Sequence, residues 1–244
     1  MIYIFTGPTL SAEEGRAELD AVFLPPATQG DVYRAALERP EAIGLIDGYF
    51  ERVPAVWHKE LLWAMAEGIH VYGSASMGAL RAAELAPFGM RGVGAIFESF
   101  LHGDLEDDDE VTLVHAPEEA GFRPLSEAMV DIRATLASAE RTGVLRTATR
   151  VALERIAKAL YYPERSYPTL LAQAAREGVP AIELERFRAW LPRGRVNQKH
   201  EDALAMLRTL REELAAQPGP KQVSYFLSRT DAWEEACRRV DESS

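Results

Sequence analysis

The sequence has a single cysteine, Cys237, so neither an internal disulfide nor a cysteine-built zinc cage can form within it. No apolar run approaches the roughly 18 residues that a membrane span needs. The opening Met1-Ile2-Tyr3-Ile4-Phe5-Thr6-Gly7 lacks the basic start and small-residue cleavage site of a signal peptide, and reads as a buried first strand. There is no Gly-x-x-x-x-Gly-Lys-Ser/Thr loop and no Gly-x-Gly-x-x-Gly after a strand, so nucleotide binding has no support. Positive charge is also the minority: 27 Lys and Arg against 38 Asp and Glu give a net charge of −11, which argues against a nucleic-acid partner. Together these absences point to a cytoplasmic protein with no membrane contact, no metal and no cofactor.

What is present is globular in composition: 244 residues, 47% hydrophobic and 27% charged, enough for a sizeable core. The charge is unevenly spread. Residues 1–139 hold 9 Lys and Arg against 23 Asp and Glu, residues 140–211 hold 14 against 8, and residues 212–244 hold 4 against 7. An acidic first half thus carries a basic middle, which reads as a solvated helical surface or as a dock for an acidic peptide or protein.

Short apolar runs alternate with helical patterns in the first half. Strands are expected at Ile2–Thr6, Ala21–Leu24, Ala42–Ile46, Ile69–Tyr72 and Val111–Val114, with helices at Ala12–Ala21, Asp31–Glu38, Ala55–Glu67 and Met77–Leu85. From about residue 124 the pattern is helical throughout, interrupted by prolines. The expected fold class is therefore α/β. A parallel-sheet N-terminal half with crossover helices (residues 1–123) precedes a mostly helical C-terminal half (residues 124–244) packed on or appended to it. In such sheets ligands sit at the carboxyl ends of the strands. That rule gathers three loops on one rim: Gly7-Pro8-Thr9, the stretch from Asp47 to Arg52, and Gly73 to Gly78.

Ser76 is the most suggestive residue on that rim. It follows a strand and opens a helix, as a nucleophile elbow requires, with small residues Ser74 and Gly78 two positions to either side. Backbone N–H groups at the helix start suit an oxyanion. The alternative is that Ser76 or Ser74 merely caps the helix. A serine nucleophile needs a base, and His58 and Lys59 open the helix before it; Asp47 is placed to orient the base or bind a ligand, or simply to form a turn. Arg81 either holds a carboxylate at the rim or pairs with Glu84 along its own helix. The run Glu106-Asp107-Asp108-Asp109-Glu110 lacks the alternation of a calcium loop and reads as a solvated acidic loop.

Several long, ordered motifs over about the first 140 residues resemble the TfuA-like core family. They are Phe5-Thr6-Gly7-Pro8-Thr9-Leu10, Ile43-Gly44-Leu45-Ile46-Asp47-Gly48-Tyr49-Phe50, and Val53-Pro54-Ala55-Val56-Trp57-His58-Lys59-Glu60. They continue through Gly73-Ser74-Ala75-Ser76-Met77-Gly78-Ala79-Leu80-Arg81-Ala82-Ala83-Glu84-Leu85 and Arg123-Pro124-Leu125-Ser126-Glu127-Ala128-Met129-Val130. The resemblance implies an accessory subunit of YcaO-dependent peptide backbone thioamidation. In that system a YcaO-type enzyme uses ATP to activate a backbone amide. The TfuA-like partner helps recruit the sulfur donor, which can be a ubiquitin-like sulfur-carrier protein ending in a thiocarboxylate, and helps release its sulfide. The precursor peptide is a further implied partner. On this reading Ser76 attacks the thiocarboxylate, with Lys59 or His58 as base and Gly7, Pro8, Thr9, Ser74, Gly78 and Arg81 lining the substrate site. Two alternatives stay open: a non-catalytic adaptor that holds YcaO and peptide together, and a stand-alone binder or hydrolase.

Overall fold

The computed structural model describes residues 1–49 and 53–242; Phe50, Glu51 and Arg52 of the second rim loop lie outside the described residues. The strands are β1 (Ile2–Phe5), β2 (Val22–Leu24), β3 (Ala42–Leu45), β4 (His70–Ser74) and β5 (Arg91–Val93). Helices α1 (Ala12–Glu18), α2 (Asp31–Leu37), α3 (His58–Ala66) and α4 (Met77–Leu85) connect successive strands, and α5 (Ala95–His102) follows β5. Then come α6 (Met129–Arg141), α7 (Thr147–Ala159), α8 (Tyr167–Arg176), α9 (Ala181–Gly194), α10 (Gln198–Ala215) and α11 (Asp231–Glu242). The strands form one sheet in the order β2-β1-β3-β4-β5, all neighbours parallel. The expected α/β class, a parallel sheet followed by a mostly helical half, is the class found.

The chain forms two compact units, one of residues 1–106 with 200–244 and one of residues 107–199. Helices α10 and α11 carry apolar faces that belong to the first unit. Side chains alternate across a strand. Ile4, Ala42, Ile46 and Tyr72 therefore share a face, and they form a buried core with Ala203, Met206, Leu207 and Leu210 of α10. Gly44 lies on the same face. A Cβ there would come within 2.6 Å of Ile4 Cδ1 and 3.1 Å of Met206 Cε, so its absence lets α10 lie close to the sheet. Ile43, Leu45 and Val71 point the other way, toward the layer of α2, α3 and α4.

The second unit closes its own core with Met129, Ile132 and Leu136 of α6, Leu153 and Ile156 of α7, Leu170 and Leu171 of α8, and Leu184 and Phe187 of α9. Val111–Val114 is not a strand. Asp108–Glu110 make a single 3-10 turn, and the Val111 carbonyl accepts from the buried Lys199 ammonium at 3.0 Å. The fifth strand is Arg91–Val93 instead. Nor is the acidic run simply solvated. Lys158 reaches Asp107, Asp109 and Glu110, the fully buried Arg165 binds Asp109 at 2.8 Å, and Arg133 clasps Glu110 through two 2.9 Å bonds. Much of the basic middle is likewise paired at home: Arg146 with Glu183, Arg150 with Glu140 and Glu154, and Arg155 with Glu177.

Candidate functional site

The connection leaves β1 toward β2 on one side, and β3 lies on the other, so the ends of β1 and β3 form the topological switch point where such sheets bind ligands. Asp47 sits there, 2% exposed. Its Oδ2 accepts from the Gly7 and Thr9 amides at 2.9 and 3.0 Å, and its Oδ1 accepts from the Thr9 hydroxyl at 2.6 Å. Asp47 therefore fixes the Gly7-Pro8-Thr9 loop across the two strand ends, where the sequence suggests a base-orienting role. Thr6 closes the loop from inside by donating its hydroxyl to the Leu10 carbonyl at 2.7 Å.

Beyond the end of β4 the backbone is strained. Ala75 holds φ at +65°, and the Ser76 amide donates to the Ser74 carbonyl at 2.8 Å. An i to i+2 bond across a residue with positive φ is the rare, strained hand of γ-turn. It delivers Ser76 to the start of α4 with φ −115° and ψ −124°. Ser76 is only 3% exposed, yet its hydroxyl makes no capping bond and, among the described residues, none to any side chain. The two readings open in the sequence thus separate here: the residue begins the helix, but its oxygen does not cap it. The next amides are engaged, Gly78 with the Ile46 carbonyl at 3.2 Å and Ala79 with the Ser76 carbonyl at 3.0 Å. The Met77 N–H has no backbone acceptor among the described residues. It occupies the position from which an elbow's oxyanion donor comes, one residue after the serine.

Gly78 and Ser74 have structural work beside this turn. A Cβ on Gly78 would fall 1.7 Å from the Leu45 carbonyl oxygen, so only glycine lets α4 start against the end of β3. The Ser74 hydroxyl is fully buried and lies 2.7 Å from the Val93 carbonyl and 2.9 Å from that of Asp202.

The two expected bases are directed elsewhere. His58 Nε2 is 2.7 Å from Glu84 Oε2, which also takes Arg81 Nη1 at 2.7 Å. Arg81 Nε donates to the Val56 carbonyl at 3.1 Å, so the Arg81–Glu84 pairing along α4 forms and ties α3 to α4. Burial pushes the Glu84 carboxyl up, but His58 and Arg81 outweigh it and hold it below its usual range. A helix rises ~1.5 Å per residue, which puts Glu84 about 12 Å along α4 from Ser76. The imidazole is held at that far end. Lys59, ~100° further round α3, gives its ammonium to the Thr230 hydroxyl at 3.0 Å. Among the described residues no hydrogen bond joins Ser76 to His58, Lys59 or Asp47.

Glu60 was not singled out by the sequence. It is 2% exposed and accepts from the Trp57 and Tyr33 amides at 3.2 Å each, joining the first turns of α3 and α2. Burial raises its carboxyl, and the backbone donors of Gly30, Trp57 and Tyr33 pull it back only part of the way. The signal that could have found it is its place three residues after Trp57, the N3 position of a helix. Thr230 carries no such signal, because its partner lies 171 positions away. Among the described residues no group of three or more His, Cys, Asp or Glu is arranged to hold a metal ion, and no helix is long and apolar enough to cross a membrane.

The fold is α/β with a parallel sheet, and a strained turn presents a serine at a helix start beside the switch point. Residues 47–166 match the family model of TfuA-like protein. The match starts at the switch-point aspartate and includes the whole of α3, β4 and α4. Proteins of this family are associated with YcaO partners in thioamidation. No curated protein matches the chain.

Proposed function

We propose that this chain is the subunit that brings sulfur to a YcaO-type enzyme, taking a carrier protein's terminal thiocarboxylate at the switch-point rim and freeing its sulfide at Ser76. The observation that carries this reading is the uncommitted Ser76 hydroxyl on a strained turn, beside the open Met77 amide. The Ser76 oxygen adds to the thiocarboxylate carbonyl, and the Met77 N–H faces the oxygen that gains charge. The C–S bond breaks, the serine proton passes to the departing sulfur, and HS⁻ leaves. Water then cleaves the seryl ester to return the carrier carboxylate and the hydroxyl. Lys59 or His58 relays the proton once it is freed from its present partner. A slender carrier tail suits a serine that is nearly buried.

A second reading is favoured by a different observation. His58 and Lys59 are both engaged away from Ser76, which suits a non-catalytic adaptor that holds the YcaO enzyme and its peptide together. One experiment separates the two. Purified Ser76→Ala protein is given a thiocarboxylated carrier, and sulfide is measured with and without the YcaO partner. Loss of release, with thioamide formation restored by free sulfide, supports the first reading. Unchanged release removes Ser76 from the chemistry and leaves the adaptor.

A further inference from the structure

The segment that follows α10 runs back along α3 and touches it at three successive places. At the C-terminal end of α3 the Lys221 amide donates to the Gly68 carbonyl at 2.8 Å. Midway, the Tyr225 hydroxyl donates to the Leu62 carbonyl at 2.6 Å while its ring meets Phe88 edge-on. At the N-terminal end Thr230 takes the Lys59 ammonium. There α11 begins and seats Trp233 among Tyr33, Trp57 and Trp63, with ring centroids 5.5 to 6.2 Å away. In α11 only Trp233 and Val240 are buried. A helix of this length is marginal alone in water, so its order depends on that seat. Between α10 and α11 the segment has no helix or strand of its own, and its side chains are exposed or half-buried.

We infer that residues 219–242 are a releasable strap that holds Lys59 on Thr230 in the resting protein, and that letting go of the strap makes this amine available to Ser76. The inference rests on the reading of Ser76 given above. Three features point to a gate rather than to simple packing. Only two side chains of α11, Trp233 and Val240, are buried. The intervening stretch is held by a few isolated contacts: His70 on the Gly219 carbonyl, the Lys221 amide on Gly68, and Tyr225 on Leu62 and Phe88. The contact after these, at Thr230, takes the terminal amine of a residue that the chemistry calls on. Cys237, the sole cysteine, lies on α11 beside the anchor and reports undocking through its own reactivity.

The test uses the full chain and three readouts: alkylation rate of Cys237, acylation rate of Lys59 mapped by mass spectrometry, and sulfide release from a thiocarboxylated carrier. Removing a buried tryptophan from its seat shifts local opening by at least about tenfold, so Trp233→Ala is expected to speed both labelling reactions by that factor. Thr230→Val leaves the Trp233 ring in its seat but also removes the long 3.4 Å bond from the Trp233 amide to the Thr230 hydroxyl, so it should speed Lys59 labelling clearly more than Cys237 labelling. Both variants should release sulfide faster, and adding Lys59→Met should remove the gain. Unchanged Lys59 labelling in both variants overturns the gate, as does slower release in a Trp233→Ala protein whose Cys237 labels faster. If Lys59 is unmasked and no protein releases sulfide, the hold on Lys59 stands and the Ser76 chemistry falls.

Discussion

Replacing Asp47 by alanine removes the acceptor for two backbone amides and one hydroxyl at a position that is 2% exposed. Hydrogen bonds to a charged group contribute ~1.5–3 kcal/mol each, and a buried donor left unpaired costs ~1–3 kcal/mol. The three losses overlap, since the freed loop can open to water, so a net destabilisation of about 3–5 kcal/mol follows. For a chain of this size that lowers the thermal midpoint by about 6–20 °C. Thr9→Val deletes only the hydroxyl bond and should cost ~1 kcal/mol. Urea unfolding followed by fluorescence of Trp57, Trp63 and Trp233 in a Trp190→Phe background reads the first unit alone. A loss below about 1 kcal/mol for Asp47→Ala would refute the reasoning, because the two amides would then have found other acceptors.

Gly78→Ala puts a methyl 1.7 Å from the Leu45 carbonyl, a backbone atom that cannot swing aside, and should cost at least about 3 kcal/mol or prevent soluble expression. A variant as stable as the parent would mean that α4 can start elsewhere. Ala75→Gly relieves the φ of +65° and should raise stability by about 0.5–1 kcal/mol, seen as a small rise in thermal midpoint. Glu183 is held down to about 2: burial pushes it up, but the Arg146 amide, the Thr149 hydroxyl and the Arg146 guanidinium pull harder in the opposite direction. A carboxyl depressed in the folded state adds stability above its ordinary 4.5 and loses it as the pH falls toward 2, so the second unit should weaken across that window, and Glu183→Gln should flatten the dependence in acid denaturation curves.

The sheet was legible because β1, β3 and β4 are buried on both faces and so read as unbroken apolar runs. β5 was not: Arg91-Gly92-Val93 has three residues and one exposed charge, while Val111-Thr112-Leu113-Val114 offers a better apolar run in a stretch whose backbone bonds go to Lys199, Leu125 and Ser126. The rim residues were legible as types. Small residues around Ser76 announce a tight turn, and a polar residue at a strand end announces a site. Their directions were not, since a carboxylate such as Asp47 serves a loop or a base with equal ease until the donors around it are known. The engagement of Lys59 by Thr230 and the pairing of His58 with Glu84 depend on where distant segments return, which periodicity does not encode.

For a nascent chain, the late return of α10 sets a schedule. The sheet face bearing Ile4, Ala42, Ile46 and Tyr72 waits for Met206 and Leu210. At ribosomal rates of about 5–20 residues per second, the stretch from Tyr72 to Met206 takes about 7–27 seconds to be made. During that interval residues 107–199 can already close on their own core. The helical insert is then the part finished first, and the older sheet stays sticky on one side until synthesis is nearly over. A chain stalled at residue 199 would present that bare face to chaperones, whereas one released at residue 215 would not.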